Sequence, residues 1–145
     1  MGPQWDALAV GEKKEVFLVE AKANIEEIVS PGTGASRTSK SLIRKSLQET
    51  KEYLNIKKDT DWSGTFYQYT NRLAHLYFLW KNKVKAYLLF IYFIGDSSFT
   101  DKYTPGTRAE WEAALLVMKT FFGVKQHKLN KFIMKLFIDV KDIGM

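Results

Sequence analysis

Residues 15–23 read Glu-Val-Phe-Leu-Val-Glu-Ala-Lys-Ala, an apolar segment that two charged side chains, Glu20 and Lys22, interrupt. Apolar residues on both sides of the pair are typical of a buried β-strand. Because side chains two positions apart in a strand project from the same face, Glu20 and Lys22 are expected to lie together. Charges on a buried strand are costly unless they are paired or bound to a metal. This pair is therefore the strongest indication of a functional site in the sequence.

A second short apolar segment, Trp5–Val10, precedes this strand and is joined to it by a polar turn that contains glycine. Two such segments around a short turn predict an antiparallel β-hairpin. Asp6 is the one charged residue of the first segment. If the hairpin closes directly after Val10, Asp6 lies opposite Val19 or Glu20. We therefore expect Asp6 to lie beside the charged pair at one end of the sheet.

The rest of the chain alternates between helical and strand-like patterns. Three helices are predicted: the first is capped by Thr38 or Ser39 and ends near Leu54, the second covers Thr65–Trp80, and the third covers Thr107–Phe122 and ends at Gly123. Two further strands are predicted over Val84–Ile94 and Phe132–Val140. The order β-β-α-α-β-α-β predicts crossovers between parallel strands after the hairpin. The predicted fold class is α/β, with a mixed central sheet and helices on both of its faces.

Composition limits the chemistry that the chain can perform. It has 145 residues, 22 Lys+Arg against 16 Asp+Glu, and a net charge of +6, which suits an anionic partner such as nucleic acid but is also common among soluble proteins. The absence of cysteine excludes disulfides, a thiolate nucleophile and cysteine-ligated metals. With two histidines far apart in sequence, a bound metal needs oxygen ligands, as Mg²⁺, Mn²⁺ and Ca²⁺ do.

The sequence predicts neither a membrane segment nor a nucleotide-binding P-loop. The longest apolar run, residues 86–94, is far shorter than the ~20 residues that a membrane helix needs. The first residues also lack a signal-peptide pattern, so we expect a cytoplasmic protein. The glycine-containing loop at residues 30–36 has no Gly-Lys-Ser/Thr sequence and is therefore not a P-loop.

Asp6, Glu20 and Lys22 resemble the motif of the PD-(D/E)xK nuclease superfamily, whose fold is called restriction-endonuclease-like. In that family an aspartate precedes an (Asp/Glu)-x-Lys sequence across a β-hairpin. The resemblance implies that Asp6 and Glu20 bind Mg²⁺ or Mn²⁺ and that all three residues are catalytic. Family members usually begin with a helix, whereas this chain enters its predicted hairpin at Trp5. Residues 1–145 are thus interpreted as a single nuclease-like domain without that helix.

The resemblance implies a metal-dependent phosphodiester hydrolase that acts on DNA or RNA, and it allows a homodimer. Polar and basic residues of the first two helices are expected to contact phosphates or simply to form solvated helix faces: Arg37, Lys40, Arg44, Gln68 and Arg72. A catalytically inactive nuclease-fold module that binds nucleic acid or a protein partner is the alternative. A purely structural module, in which Glu20 and Lys22 form only an ion pair, is the third reading.

Overall fold

The structure, a computed structural model, describes residues 5–29, 32–34 and 36–144. Within these ranges the elements follow the predicted order, and their ends lie within three residues of the predicted ends. The strands are β1 (Ala7–Val10), β2 (Val16–Lys22), β3 (Ala86–Ile94) and β4 (Ile133–Asp139). The helices are α1 (Arg37–Tyr53), α2 (Tyr67–Lys81) and α3 (Arg108–Phe122). Short 3-10 turns occur at Ile25–Glu27, Asn130–Phe132 and Val140–Ile143.

The four strands form one mixed sheet in the order β1-β2-β3-β4. The pairing of β1 with β2 is antiparallel, with Val10 opposite Val16 and Ala7 opposite Val19. The pairings of β2 with β3 and of β3 with β4 are parallel. The predicted hairpin and the predicted partly parallel sheet are therefore confirmed. The order also makes β3 an inner strand, since it is bonded on both sides.

Local chemistry explains where the helices begin and end. Ser36 caps α1, because its side-chain oxygen accepts the N–H of Ser39, so the predicted cap at Thr38 or Ser39 is wrong by a few residues. Helix α2 begins after Phe66, whose φ of 63° belongs to the left-handed region. Thr107 begins α3 with a capping box, and Gly123 ends it at a φ of 71°. Of the described helices, none combines the length and apolar character that a membrane crossing requires.

The core lies between one face of the sheet and the helices. On β3 this face carries Phe90 and Tyr92, which contact the rings of Tyr69 on α2 and Trp111 on α3 at centroid distances of 5.9 and 4.9 Å. Helix α1 packs against α2. The opposite face contains apolar side chains that are half-buried or exposed, such as Leu136 at 45% exposure. The expectation of helices on both faces is therefore wrong for the described residues, because the side chains of the opposite face stay half-buried or exposed whereas those facing α2 and α3 are buried.

Candidate functional site

Glu20 and Lys22 lie at the carboxyl-terminal end of β2, on the face that the helices cover. They are opposite Phe90 and Tyr92 of β3 in the parallel register. Their exposures are 5% and 8%, so both charged side chains are buried, as the sequence predicts. Because β2 lies between β1 and β3, this pair is not on an edge strand. A buried pair at this position needs partners from the helix layer.

Helix α2 supplies those partners. Nζ of Lys22 lies 2.8 Å from Oε1 of Glu20 and 2.7 Å from Oε1 of Gln68. Nε of Arg72, one turn after Gln68 on the same helix, lies 3.1 Å from Oε2 of Glu20. The Glu20 carboxylate is thus shared between two cations, and Lys22 is held between a carboxylate and an amide. We call Glu20, Lys22, Gln68 and Arg72 the charged cluster.

Trp5 and His75 cover the outer side of Arg72. The guanidinium carbon of Arg72 lies 4.7 Å from the ring centroid of Trp5, a cation–π distance. Nε1 of Trp5 donates to Nδ1 of His75 at 3.1 Å. Burial, and then the nearby charge of Arg72, hold the pKa of His75 below its ordinary value. The neutral ring therefore accepts the tryptophan N–H at neutral pH.

Asp6 reaches the same end of β2 from the hairpin. The register that pairs Ala7 with Val19 brings Asp6 opposite Glu20, one of the two positions expected from the sequence. Its Oδ2 accepts the backbone N–H of Ala21, at 2.7 Å, between the two charged residues. In contrast to Glu20, Asp6 is exposed. It therefore borders the charged cluster from the solvent side.

A small cavity adjoins the charged cluster. Its space for water-sized molecules is about 20 Å³, which suits about one water molecule. Besides the charged cluster, the side chains that line it include Glu27, Met118 and two tyrosines, Tyr69 and Tyr92. Burial raises the pKa of both phenols, with the charges of Tyr69 and Glu20 adding to the effect at Tyr92. Both hydroxyl groups therefore stay protonated and can donate hydrogen bonds.

The predicted phosphate-contacting residues separate into two groups. Gln68 and Arg72 lie in the charged cluster and bond directly to Lys22 and Glu20. Arg37, Lys40 and Arg44 lie in the first half of α1, away from the cavity lining. Arg44 lines a separate surface cleft, together with residues that include Lys51 and Asp61.

The carboxylates near the cavity have the donor chemistry that a hard divalent ion prefers. Mg²⁺ is commonly held by one or two carboxylates, with water and substrate phosphate as its other ligands. Glu20 supplies one such group beside the cavity, although a metal there would displace Lys22 or Arg72 from one oxygen, and exposed Asp6, just before β1, supplies a second carboxylate whose Oδ2 accepts the N–H of Ala21. Among the described residues, no group of three or more His, Asp or Glu side chains is arranged around a common point as metal ligands. The donor set therefore fits Mg²⁺ only with substrate and water completing the coordination.

Several residues of this site were missed at the level of sequence. The sequence predicts Trp5 as the start of the first strand and Tyr92 as one of many apolar positions of the third. Glu27, whose Oε1 accepts the N–H of Ala23, was not singled out. The alternation along β3, which brings Tyr92 to the same face as Phe90, was the available signal for Tyr92. No comparable signal marks Trp5, because its partners Arg72 and His75 are far away in sequence.

Comparisons with known proteins do not identify a family. No family model matches the chain. No curated protein and no solved structure is significantly similar to it.

Proposed function

We propose that this chain is a metal-dependent phosphodiester hydrolase, a nuclease or nuclease-like protein that acts on DNA or RNA. The observation that carries the proposal is the position of the Lys22 ammonium group. It lies 2.8 Å from Glu20 and 2.7 Å from Gln68, at the end of a buried strand and beside a cavity. An acid and a lysine on one face of a strand, with a second acid across the hairpin, also resemble the PD-(D/E)xK arrangement.

Each group of the cluster has a distinct role in this proposal. Asp6 and Glu20 hold Mg²⁺ or Mn²⁺, which, when bound, supplies a water of lowered pKa and neutralises phosphate charge. Lys22 stabilises the negative charge that develops on the phosphate oxygens during attack. Gln68 keeps the ammonium group oriented through its 2.7 Å hydrogen bond. The net charge of +6 favours the approach of a polyanionic substrate.

A cleavage assay combined with melting curves tests the proposal. Wild-type protein is incubated with labelled single- and double-stranded DNA and RNA in Mg²⁺, Mn²⁺ or EDTA. We expect cleavage with metal, none in EDTA, and a higher melting temperature with metal. Lys22→Ala is expected to lose cleavage but to keep the metal-dependent shift, whereas Glu20→Ala loses both. A wild type that neither cleaves any substrate nor responds to metal contradicts the proposal.

The alternative is a catalytically inactive nuclease-fold module that binds nucleic acid or a protein partner. Two observations favour it. Both oxygens of Glu20 are engaged by cations, and the adjoining cavity has room for about one water rather than for a phosphodiester. In that case Glu20 and Lys22 stabilise the fold, and the melting temperature does not change with metal. Binding of labelled nucleic acid without cleavage is the result that supports this alternative.

A further inference from the structure

A second cleft, distant from the charged cluster, is lined by aromatic rings and lysines. Its volume is about 520 Å³. The rings come from the end of α1, the end of α2 and the 3-10 turn before β4, and they are Tyr53, Tyr77, Trp80 and Phe132. The lysines are Lys81, Lys128 and Lys131. We call these seven residues the aromatic–lysine cleft.

The rings of the cleft are fixed in position by contacts with one another and with the sheet. Trp80 and Phe132 stack at a centroid distance of 4.1 Å and an interplanar angle of 23°. Tyr53 and Tyr77 lie 4.7 Å apart. Nε1 of Trp80 donates to the carbonyl oxygen of Ala86 at 2.8 Å, which anchors the indole to the start of β3. Because the rings are already ordered, stacking of a flat ligand on them costs little side-chain entropy.

The three lysines are exposed and lie close to the ring faces. Nζ of Lys128 is 4.8 Å from the ring centroid of Tyr53, and Nζ of Lys131 is 5.2 Å from that of Phe132. Lys81 lies 6.0 Å from the ring of Tyr77 and forms an ion pair with Glu49. Three lysine charges therefore lie at the cleft, against the one negative charge of Glu49, which contacts Lys81 and Tyr77.

The cleft continues into a neighbouring groove along α1 and α2. The groove shares Tyr77 and Lys81 with the cleft, and its other lining residues are Leu42, Lys45, Ser46, Glu49 and Phe78. Phe78 is 57% exposed, a large apolar ring on the surface. Cleft and groove together thus present five aromatic rings and four lysines on one continuous surface.

We propose that the aromatic–lysine cleft binds single-stranded nucleic acid. Proteins that bind single strands combine a basic groove, which follows the phosphates, with aromatic rings on which bases stack. The cleft has both components, and its positive charge is complementary to a phosphate backbone. A duplex is a poorer ligand, because its bases are stacked on each other and their faces are covered. This binding function is additional to hydrolysis at the charged cluster and needs no metal.

The cleft and the charged cluster lie at opposite ends of the sheet. Trp80 bonds to Ala86, the first residue of β3, whereas Tyr92, six positions further, adjoins the charged cluster. Six residues of strand span about 20 Å. A single-stranded nucleic acid bound in the cleft therefore lies about three nucleotide spacings or more from the charged cluster. The two sites can be tested separately.

Fluorescence anisotropy in EDTA tests the proposal, with labelled oligothymidine, oligouridine and a DNA duplex of equal length as probes. We expect each single strand to bind more tightly than the duplex. The double variant Lys128→Ala/Lys131→Ala is expected to weaken single-strand binding about tenfold and to reduce the slope of log K against log salt by about 1.4, since each single-strand phosphate contact contributes about 0.7. Tyr53→Leu is expected to weaken binding about tenfold through lost stacking.

The matched control is Lys102→Ala/Lys141→Ala, which removes two exposed lysines from the other end of the sheet. It should bind single strands as the wild type does. Four results overturn the proposal: no binding at low salt, duplex binding as tight as single-strand binding, unchanged binding by the Lys128/Lys131 variant, or an equal loss in the lysine control. Because metal and cleavage are absent from the assay, failure of the hydrolase proposal does not affect it.

Discussion

Nε of Arg72 lies 3.1 Å from Oε2 of Glu20, an ion pair between α2 and β2 with both side chains less than one-tenth exposed. Lys22 occupies the other oxygen of the same carboxylate. Two buried cations thus share one buried carboxylate. Stability should therefore be more sensitive to the loss of Glu20 than to the loss of either cation.

The first prediction concerns Glu20→Gln. The amide keeps the shape of the side chain but removes the carboxylate charge that Lys22 and Arg72 both contact, and breaking a buried pair typically costs about 3–5 kcal/mol. We expect the free energy of unfolding to fall by about that amount, measured by urea denaturation at neutral pH. Glu12→Gln, in the exposed turn of the hairpin, is the control and should be neutral.

A double variant sharpens this prediction. Adding Lys22→Met to Glu20→Gln also removes one of the two cations that contact the carboxylate in the wild type, so the double variant should be more stable than Glu20→Gln alone. A Glu20→Gln protein within about 1 kcal/mol of the wild type would show that the ion pairs contribute little, as exposed pairs do.

The second prediction concerns metal binding by Arg72→Met. In the wild type a divalent ion must compete with Arg72 or Lys22 for Glu20, whereas Arg72→Met releases Oε2. We expect Mg²⁺ to raise the melting temperature of Arg72→Met by more than that of the wild type. If Arg72→Met binds Mg²⁺ ten times more tightly, the metal in excess stabilises the folded state by about 1.4 kcal/mol more than it stabilises the wild type. Arg108→Met, which removes an exposed arginine paired with Glu112, is the control.

Equal metal shifts in the wild type and in Arg72→Met would contradict this competition. Such a result would indicate that any bound Mg²⁺ contacts a group other than Glu20.

The third prediction concerns the titration of His75. Burial is the main reason why its pKa is low, and the positive charge of Arg72 is the second. Arg72→Met removes that charge and should raise the pKa of His75 toward its ordinary value. The chain has two histidines, so proton NMR resolves both rings, and His127 serves as an internal reference. An unchanged His75 titration would show that solvent screens the Arg72 charge.

The fourth prediction concerns the pH dependence of stability. Burial, and then the charge of Lys119, lower the pKa of His127 to about 4 from an ordinary 6.5. Because the unfolded chain takes up the proton first, stability should fall as the pH decreases from about 6.5 toward about 4. Nδ1 of His127 also accepts the N–H of Leu129, a bond that protonation removes. The half-buried ring limits this contribution to about 1–2 kcal/mol.

His127→Asn keeps an acceptor for that N–H and has no proton to gain. Melting temperatures of both proteins at pH 7.5 and pH 5 should show a smaller decrease for the variant. Parallel decreases in the two proteins would assign the pH dependence to other groups, such as His75.

Much of the fold could be predicted because the local signals were strong. The hairpin follows from two apolar segments around a polar turn, and α3 from the Trp111, Leu115, Met118 and Phe122 stripe, all of which are buried. The position of the helices could not be predicted in the same way. Leu89 and Ile91 of β3 are half-buried although the helical contacts are with the other face. An inner strand is shielded by its neighbours, so an apolar run does not reveal whether a helix covers both faces.

The candidate site was predicted in part. The spacing of Glu20 and Lys22 determines that they share a face, and the structure shows them in contact. Periodicity also placed Gln68 and Arg72 on one side of α2. It could not show that Arg72 pairs with Glu20, because the partner of a helix face depends on tertiary packing. The aromatic–lysine cleft was missed for the same reason, since Lys128 meets Tyr53 only in the folded chain.

The parallel pairing of β2 with β3 has a kinetic consequence. Residues 23–85, including α1 and α2, separate the two strands, so their first hydrogen bonds close a long loop, and contacts so distant in sequence slow folding. On the ribosome, Glu20, Lys22 and Arg72 are all synthesised before β3 emerges. The charges can therefore meet while they are still in water, where the ion pairs are weak. Insertion of β3 then removes the water and converts these loose contacts into the buried cluster, so desolvation of the charges becomes part of the late step of folding.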